Sequence, residues 1–145
     1  LMSVLSWGLY GVLLHSGQIA MADPINGRYK AFLFVGLAYT VTAVLGSIIV
    51  LVANGASWSM PVKGISLSTV AGIAGALGAF GVVLAFGAKG TPSVVMSIIF
   101  AGAPIVNAVV AVSMAHKKPD LSLPFIAGIL LAAAGGCLVT LYKPS

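Results

Sequence analysis

The sequence predicts an all-α polytopic membrane protein of five transmembrane helices, and three observations carry that prediction. Five apolar runs, at about 1–22, 31–53, 65–86, 91–115 and 122–142, fill most of the chain. Each is 21 to 25 residues long, against the ~20 that a helix needs to cross the hydrocarbon core. All nine acidic and strongly basic residues fall between or after these runs. The composition agrees: 60% of residues are hydrophobic and 6% charged, with a mean hydropathy of +1.15, whereas about a quarter of an ordinary soluble domain is charged. Backbone groups in lipid must be satisfied internally, and runs this long lack the alternation of barrel strands, so the spans are expected to be helices. They form one transmembrane domain, 1–145, with no soluble domain or long linker.

The first span ends in Ala20-Met21-Ala22, which has the small-x-small form of a signal-peptide cleavage site. It lacks a preceding basic stretch, and its apolar run exceeds a typical signal core, so it reads as a retained span. The sequence opens Leu-Met, which reads as an incomplete start. Within this span Trp7, Gly11, His15 and Gln18 recur at steps of four, four and three, along one helical face. His15 is the one His, Asp, Glu, Lys or Arg inside any span. An ionisable group in the bilayer is costly unless it faces a cavity or a partner, which makes His15 and Gln18 candidates for a substrate path. A neutral histidine bonded to Gln18 or a neighbouring helix is the structural alternative. A ligand to a haem or pigment metal is a third reading, and a weak one, so no cofactor or metal site is assigned.

Between the first and second spans, Asp23-Pro24 and Asn26-Gly27 form a turn. The second span, 31–53, is one of the five apolar runs. The third carries Gly72, Gly75 and Gly78 among alanines, small residues that permit close backbone approach on several faces. Thr91-Pro92 opens the fourth span as a hydroxyl cap followed by a first-turn proline. Inside that span Pro104 removes a hydrogen bond to the carbonyl of Phe100, and a kink is expected, with Asn107 one turn on. Bent helices with freed carbonyls build midplane sites in transporters, so Pro104 and Asn107 join the path candidates. The last span, opened by Ser122-x-Pro124, stacks Gly128, Ala132 and Gly136 at four-residue steps as a ridge for one partner helix.

The net charge of +5 resembles a nucleic-acid signal only until its residues are located. Arg28, Lys30, Lys63, Lys89, Lys117, Lys118 and Lys143 are spread over every connection and form no basic stripe. For a five-span chain, four of these fall on one side and three on the other, which leaves orientation undecided under the positive-inside rule. A chain that inserts both ways and pairs with an inverted copy of itself gives such a near tie; so does chance at these small numbers. Asp23 and Asp120 sit in loops, leaving no span with a carboxylate for coupling proton movement to cation export. Cys137 is alone and makes no internal disulfide. No nucleophile-base constellation, metal-spaced cluster or phosphate loop is present, so the chain does not read as an enzyme.

Gly81-Val-Val-Leu-Ala-Phe-Gly-Ala-Lys89-Gly90-Thr-Pro92-Ser, the run from Pro104 to Asn107, the glycines of the last span and the opening Trp7-Gly8 together resemble the EamA-like repeat of the drug/metabolite transporter superfamily. The likeness covers nearly the whole chain through short apolar motifs. It implies a half-transporter bundle: members usually carry two inverted five-helix repeats around a central site and move small metabolites. The chain departs where the family commonly has Gly-Glu at the end of the fourth helix; Ala115-His116-Lys117 stands there. The expected function is therefore a small-metabolite transporter acting as an inverted homodimer, with a path lined by helices 1, 3 and 4, in the bacterial inner membrane. The alternative is a non-transporting accessory subunit packed against a larger, pigment-binding or lipid-binding membrane complex. Expected partners are the lipid bilayer, a second copy or such a complex, and a small-molecule substrate; nucleic acid is not among them.

Overall fold

A computed structural model describes residues 1–115 and 122–142. The described residues form helices and no strand: α1 (Met2–Ala20), α2 (Gly27–Tyr39), α3 (Gly46–Ala53), α4 (Val62–Gly87), α5 (Pro92–Met114) and α6 (Leu123–Leu141). A π-helical stretch, Thr40–Leu45, joins α2 to α3 without interruption. Four rods are long and apolar enough to cross a membrane, namely Gly27–Ala53, Val62–Gly87, Pro92–Met114 and Leu123–Leu141, and they mark an integral membrane protein. The first expected span is also a helix, α1, which at 19 residues equals α6 in length; His15-Ser16-Gly17-Gln18 dilutes its apolar run, and it is less apolar than these four rods.

Two helices also begin earlier than the apolar runs do. α2 starts at Gly27 and α4 at Val62, which brings Arg28, Lys30 and Lys63 out of the expected loops and into first turns. The Asp23 side chain explains the start of α2. Its Oδ1 accepts from the backbone N–H groups of Ile25 at 3.1 Å and Asn26 at 2.8 Å, and its Oδ2 pairs with Lys30 Nζ at 2.7 Å. The Gly27 N–H then bonds the Asp23 carbonyl at 2.8 Å, closing the turn onto the helix. Long basic side chains tolerate such positions because their heads reach toward water. The Lys117, Lys118 and Asp120 connection, His116 and Lys143 lie outside the described residues.

The chain divides into two compact units, Leu1–Lys89 and Gly90–Ser145. In the first, α1, α2 and α4 pack pairwise. Their buried residues cluster where the end of α1, the start of α2 and the end of α4 converge: Gly11 and Leu14, Gly27 and Ala31, and Ala79, Val82, Val83 and Phe86. Gly27 is required there. A Cβ at that position would meet the Gln18 carbonyl oxygen at 2.8 Å and Met21 Cβ at 3.3 Å. Within the π stretch, Thr40 and Thr42 turn their hydroxyls onto the carbonyls of Gly36 and Ala38, at 3.0 and 2.8 Å, so neither hydroxyl faces the apolar surroundings unpaired.

In the second unit α5 packs on α6. The contact runs through small residues, with Gly136 so close to α5 that a Cβ there would stand 2.6 Å from Ala101 Cβ. Thr91 and Ser122 occupy the cap positions of α5 and α6, with Pro92 and Pro124 in the first turns. The hydroxyl bonds expected of these caps do not form. Neither side chain caps its helix, and Thr91 Oγ1 lies 3.2 Å from Ser93 Oγ instead.

Candidate functional site

Polar chemistry gathers at the convergent end of the first unit. A cleft of about 390 Å³ opens there, lined by Gln18 and Ile19 of α1, Asp23 and Pro24 of the turn, Arg28 of α2, and Phe86 and Gly87 of α4. Each position follows from local structure. Gln18 lies on the last turn of α1, one turn beyond His15. Arg28 follows Gly27, whose close approach to α1 sets the start of α2 beneath the end of that helix. The guanidinium lies against Gly87, where any Cβ would overlap it, and its Cζ stands 4.9 Å from the centroid of the Tyr29 ring.

Three buried polar atoms in this region have no hydrogen-bonding partner: His15 Nδ1, Gln18 Oε1 and Arg28 Nε. A buried polar group left unpaired costs about 1–3 kcal/mol, so their concentration at one end of an apolar unit makes this end the candidate site. The His15 ring meets the Phe86 ring edge-on, with centroids 5.0 Å apart and planes at 67°. It therefore sits behind a wall of the cleft. Asp23, in contrast, is fully engaged. The Lys30 ammonium and the two turn N–H groups hold its carboxyl down at about 2 from an ordinary 3.8. That pairing neutralises the one described carboxylate in the cleft and leaves the Arg28 charge uncompensated.

A fourth unpaired buried atom, Tyr10 Oη, lies in an apolar groove of about 450 Å³ between α1 and α2, bordered by Leu13, Leu14, Ala31 and Phe34. The Tyr10 ring is edge-on to Trp7, with centroids 5.3 Å apart.

Of the residues singled out from sequence, His15 and Gln18 are half-buried and come together around Phe86 and the cleft. Pro104 and Asn107 are exposed on α5 and contribute nothing to the lining of this cleft. Pro104 lies within an unbroken helix. Among the glycines, Gly72, Gly75 and Gly78 have no atom within 4 Å of where a Cβ would stand; α4 packs instead through Ala79, Val82, Val83 and Phe86. Gly136 meets α5, Ala132 is half-buried, and Gly128 has open space around it. Arg28 is the charged cleft residue outside the Asp23–Lys30 ion pair, and the sequence pattern did not single it out. Its one signal was that it is the sole arginine among seven basic residues.

No protein family, curated protein or solved structure matches this chain.

Proposed function

We propose that the chain is an EamA-like half-transporter that moves a small metabolite across the membrane. Two copies assemble in inverted orientation, with the polar cleft of the first unit as the substrate-recognition end of the path. The observation that carries this reading is the pair of unpaired buried polar atoms on Gln18 and Arg28, which line a cleft in an otherwise apolar helical unit, with unpaired His15 Nδ1 against Phe86 beside it. Protein groups left unpaired at a concave, partly polar site are those a ligand satisfies. The uncovered glycine face of α4 at Gly72, Gly75 and Gly78 suits close contact with a helix of a second copy, and the near tie of flanking charges suits dual insertion. In this reading α1 completes a five-span set with the four more apolar rods, and the bacterial inner membrane is the location.

Counterflow in proteoliposomes tests the reading. Purified protein alone should exchange a labelled small metabolite, and His15→Leu and Gln18→Leu should each reduce the rate at least ~10-fold if one buried polar pairing of about 1.4 kcal/mol or more is lost. Absence of exchange for any small metabolite, together with co-purification of a different membrane protein in fixed ratio, establishes the accessory-subunit role instead.

A further inference from the structure

The cleft's chemistry defines the class of molecule it takes, and this inference rests on the recognition site just proposed. We infer that the ligand is a small monoanion carrying an oxyanion and a neighbouring hydroxyl, such as a hydroxycarboxylate.

Charge sets the first half of that assignment. Asp23 is paired to Lys30 at 2.7 Å, and Arg28 forms no ion pair among the described residues, so the cleft carries one uncompensated positive charge. One charge matches a carboxylate better than a dianionic phosphate monoester, and a cation finds no free carboxylate among the described residues. Arg28 Nε is buried and unpaired. With an adjacent terminal N–H it offers the side-on fork that binds a carboxylate in bidentate fashion. Gly87 is what permits this, since a side chain there would occupy the space of the guanidinium.

Gln18 sets the second half. Its buried Oε1 has no donor, and a carboxylate brings none. A hydroxyl beside the carboxylate supplies the missing donor, and it serves equally well with the amide in either orientation because it both donates and accepts. Ile19 and Phe86 provide an apolar wall for a short carbon skeleton. A phosphodiester lipid with a glycerol headgroup presents the same monoanion and hydroxyl, so source and chemistry need separate arms in the test.

The experiment measures binding of labelled lactate to the full chain in phosphatidylcholine nanodiscs, with propionate and 1,2-propanediol as competitors. Propionate lacks the hydroxyl, and the diol lacks the charge. The expected result is that lactate competes at least ~10-fold better than either, the factor for one lost pairing of about 1.4 kcal/mol. Gln18→Leu should bring lactate down to the propionate level without weakening propionate. Arg28→Gln should abolish the advantage of both acids over the diol. Equal competition by lactate and propionate in the wild type overturns the hydroxyl assignment, and competition by the diol equal to both acids overturns the anion assignment; neither outcome depends on a variant folding. Loss of lactate binding in phosphatidylglycerol nanodiscs identifies the lipid headgroup as occupant and overturns the small-molecule source. Selective lactate binding without counterflow leaves this inference standing and removes the transport reading, whereas counterflow of a neutral metabolite with no lactate binding does the reverse.

Discussion

The two units are built from the same apolar alphabet yet solve different problems. The first, Leu1–Lys89, brings an arginine, a histidine, a glutamine and an ion-paired turn to one end and leaves three buried polar atoms there unpaired. The second, Gly90–Ser145, is a helical hairpin held by close contact of small residues, with apolar grooves beside it and no unpaired buried polar atom among the described residues. In lipid there is no hydrophobic driving force between helices, because acyl chains are as apolar as leucine. Packing alone must therefore hold the hairpin, and Gly136 against Ala101 shows how. The first unit gives up packing over much of α4 and concentrates its contacts where polar groups are held. Chemistry and cohesion are thus separated along the chain.

The strongest way to break that contrast is at the two glycines that play opposite parts. Gly87→Val should displace the Arg28 guanidinium, lowering lactate binding at least ~10-fold at unchanged helicity, because the loss is of a bidentate charge pairing and not of a fold. Equivalent binding by this variant would show that Arg28 recognises nothing. Gly136→Val should instead leave ligand binding intact and destabilise the hairpin by about 1–3 kcal/mol through overpacking, read as a lower unfolding midpoint in detergent. Gly128→Val, placed in open space on the same helix, should stay within about 0.5 kcal/mol of wild type, the scatter of substitutions away from packed features.

A smaller effect is expected at Val83, which is fully buried at the convergent end of the first unit. Val83→Ala loses dispersion contacts and opens a cavity without the full aqueous transfer term, so the cost should be about 1 kcal/mol. Smallest is the pH response of the turn. The Asp23 carboxyl is held at about 2, below its ordinary 3.8, so the folded turn favours the charged form. Its contribution is complete above about pH 4 and is lost as pH falls toward 2. Protection of the Ile25 and Asn26 amides against hydrogen exchange, relative to an unstructured peptide at the same pH, should therefore fall between those values, and Asp23→Asn should make that protection independent of pH. A flat profile in the wild type would mean that the ion pair does not order the turn.

The helical, membrane-spanning character was legible because apolar run length depends on a constraint imposed by lipid, whatever the tertiary packing. Helix starts were less legible. Arg28, Lys30 and Lys63 look like loop charges by polarity, and only the Asp23 turn and the reach of basic side chains place them on helices. The π stretch at Thr40–Leu45 has no glycine or proline to announce it. Small-residue spacing does not say which glycines pack within the chain: Gly72, Gly75 and Gly78 meet no atom of it, whereas Gly136 meets Ala101. Half of the candidate site was readable from His15 and Gln18, because polar residues stand out within an apolar run. The other half depends on Arg28, Phe86 and Gly87, which come together only through the packing of α1, α2 and α4. Nothing in local sequence couples residue 28 to residue 87.

The most direct test of the claim that recognition resides in the first unit is lactate binding in phosphatidylcholine nanodiscs, compared across one set of substitutions. The account predicts that Arg28→Gln and Gln18→Leu each weaken binding at least ~10-fold, as expected for loss of one buried pairing, while Pro104→Ala and Asn107→Leu leave it within about twofold, as expected for exposed positions outside the cleft. Weakening by the α5 substitutions with the cleft substitutions silent would contradict it.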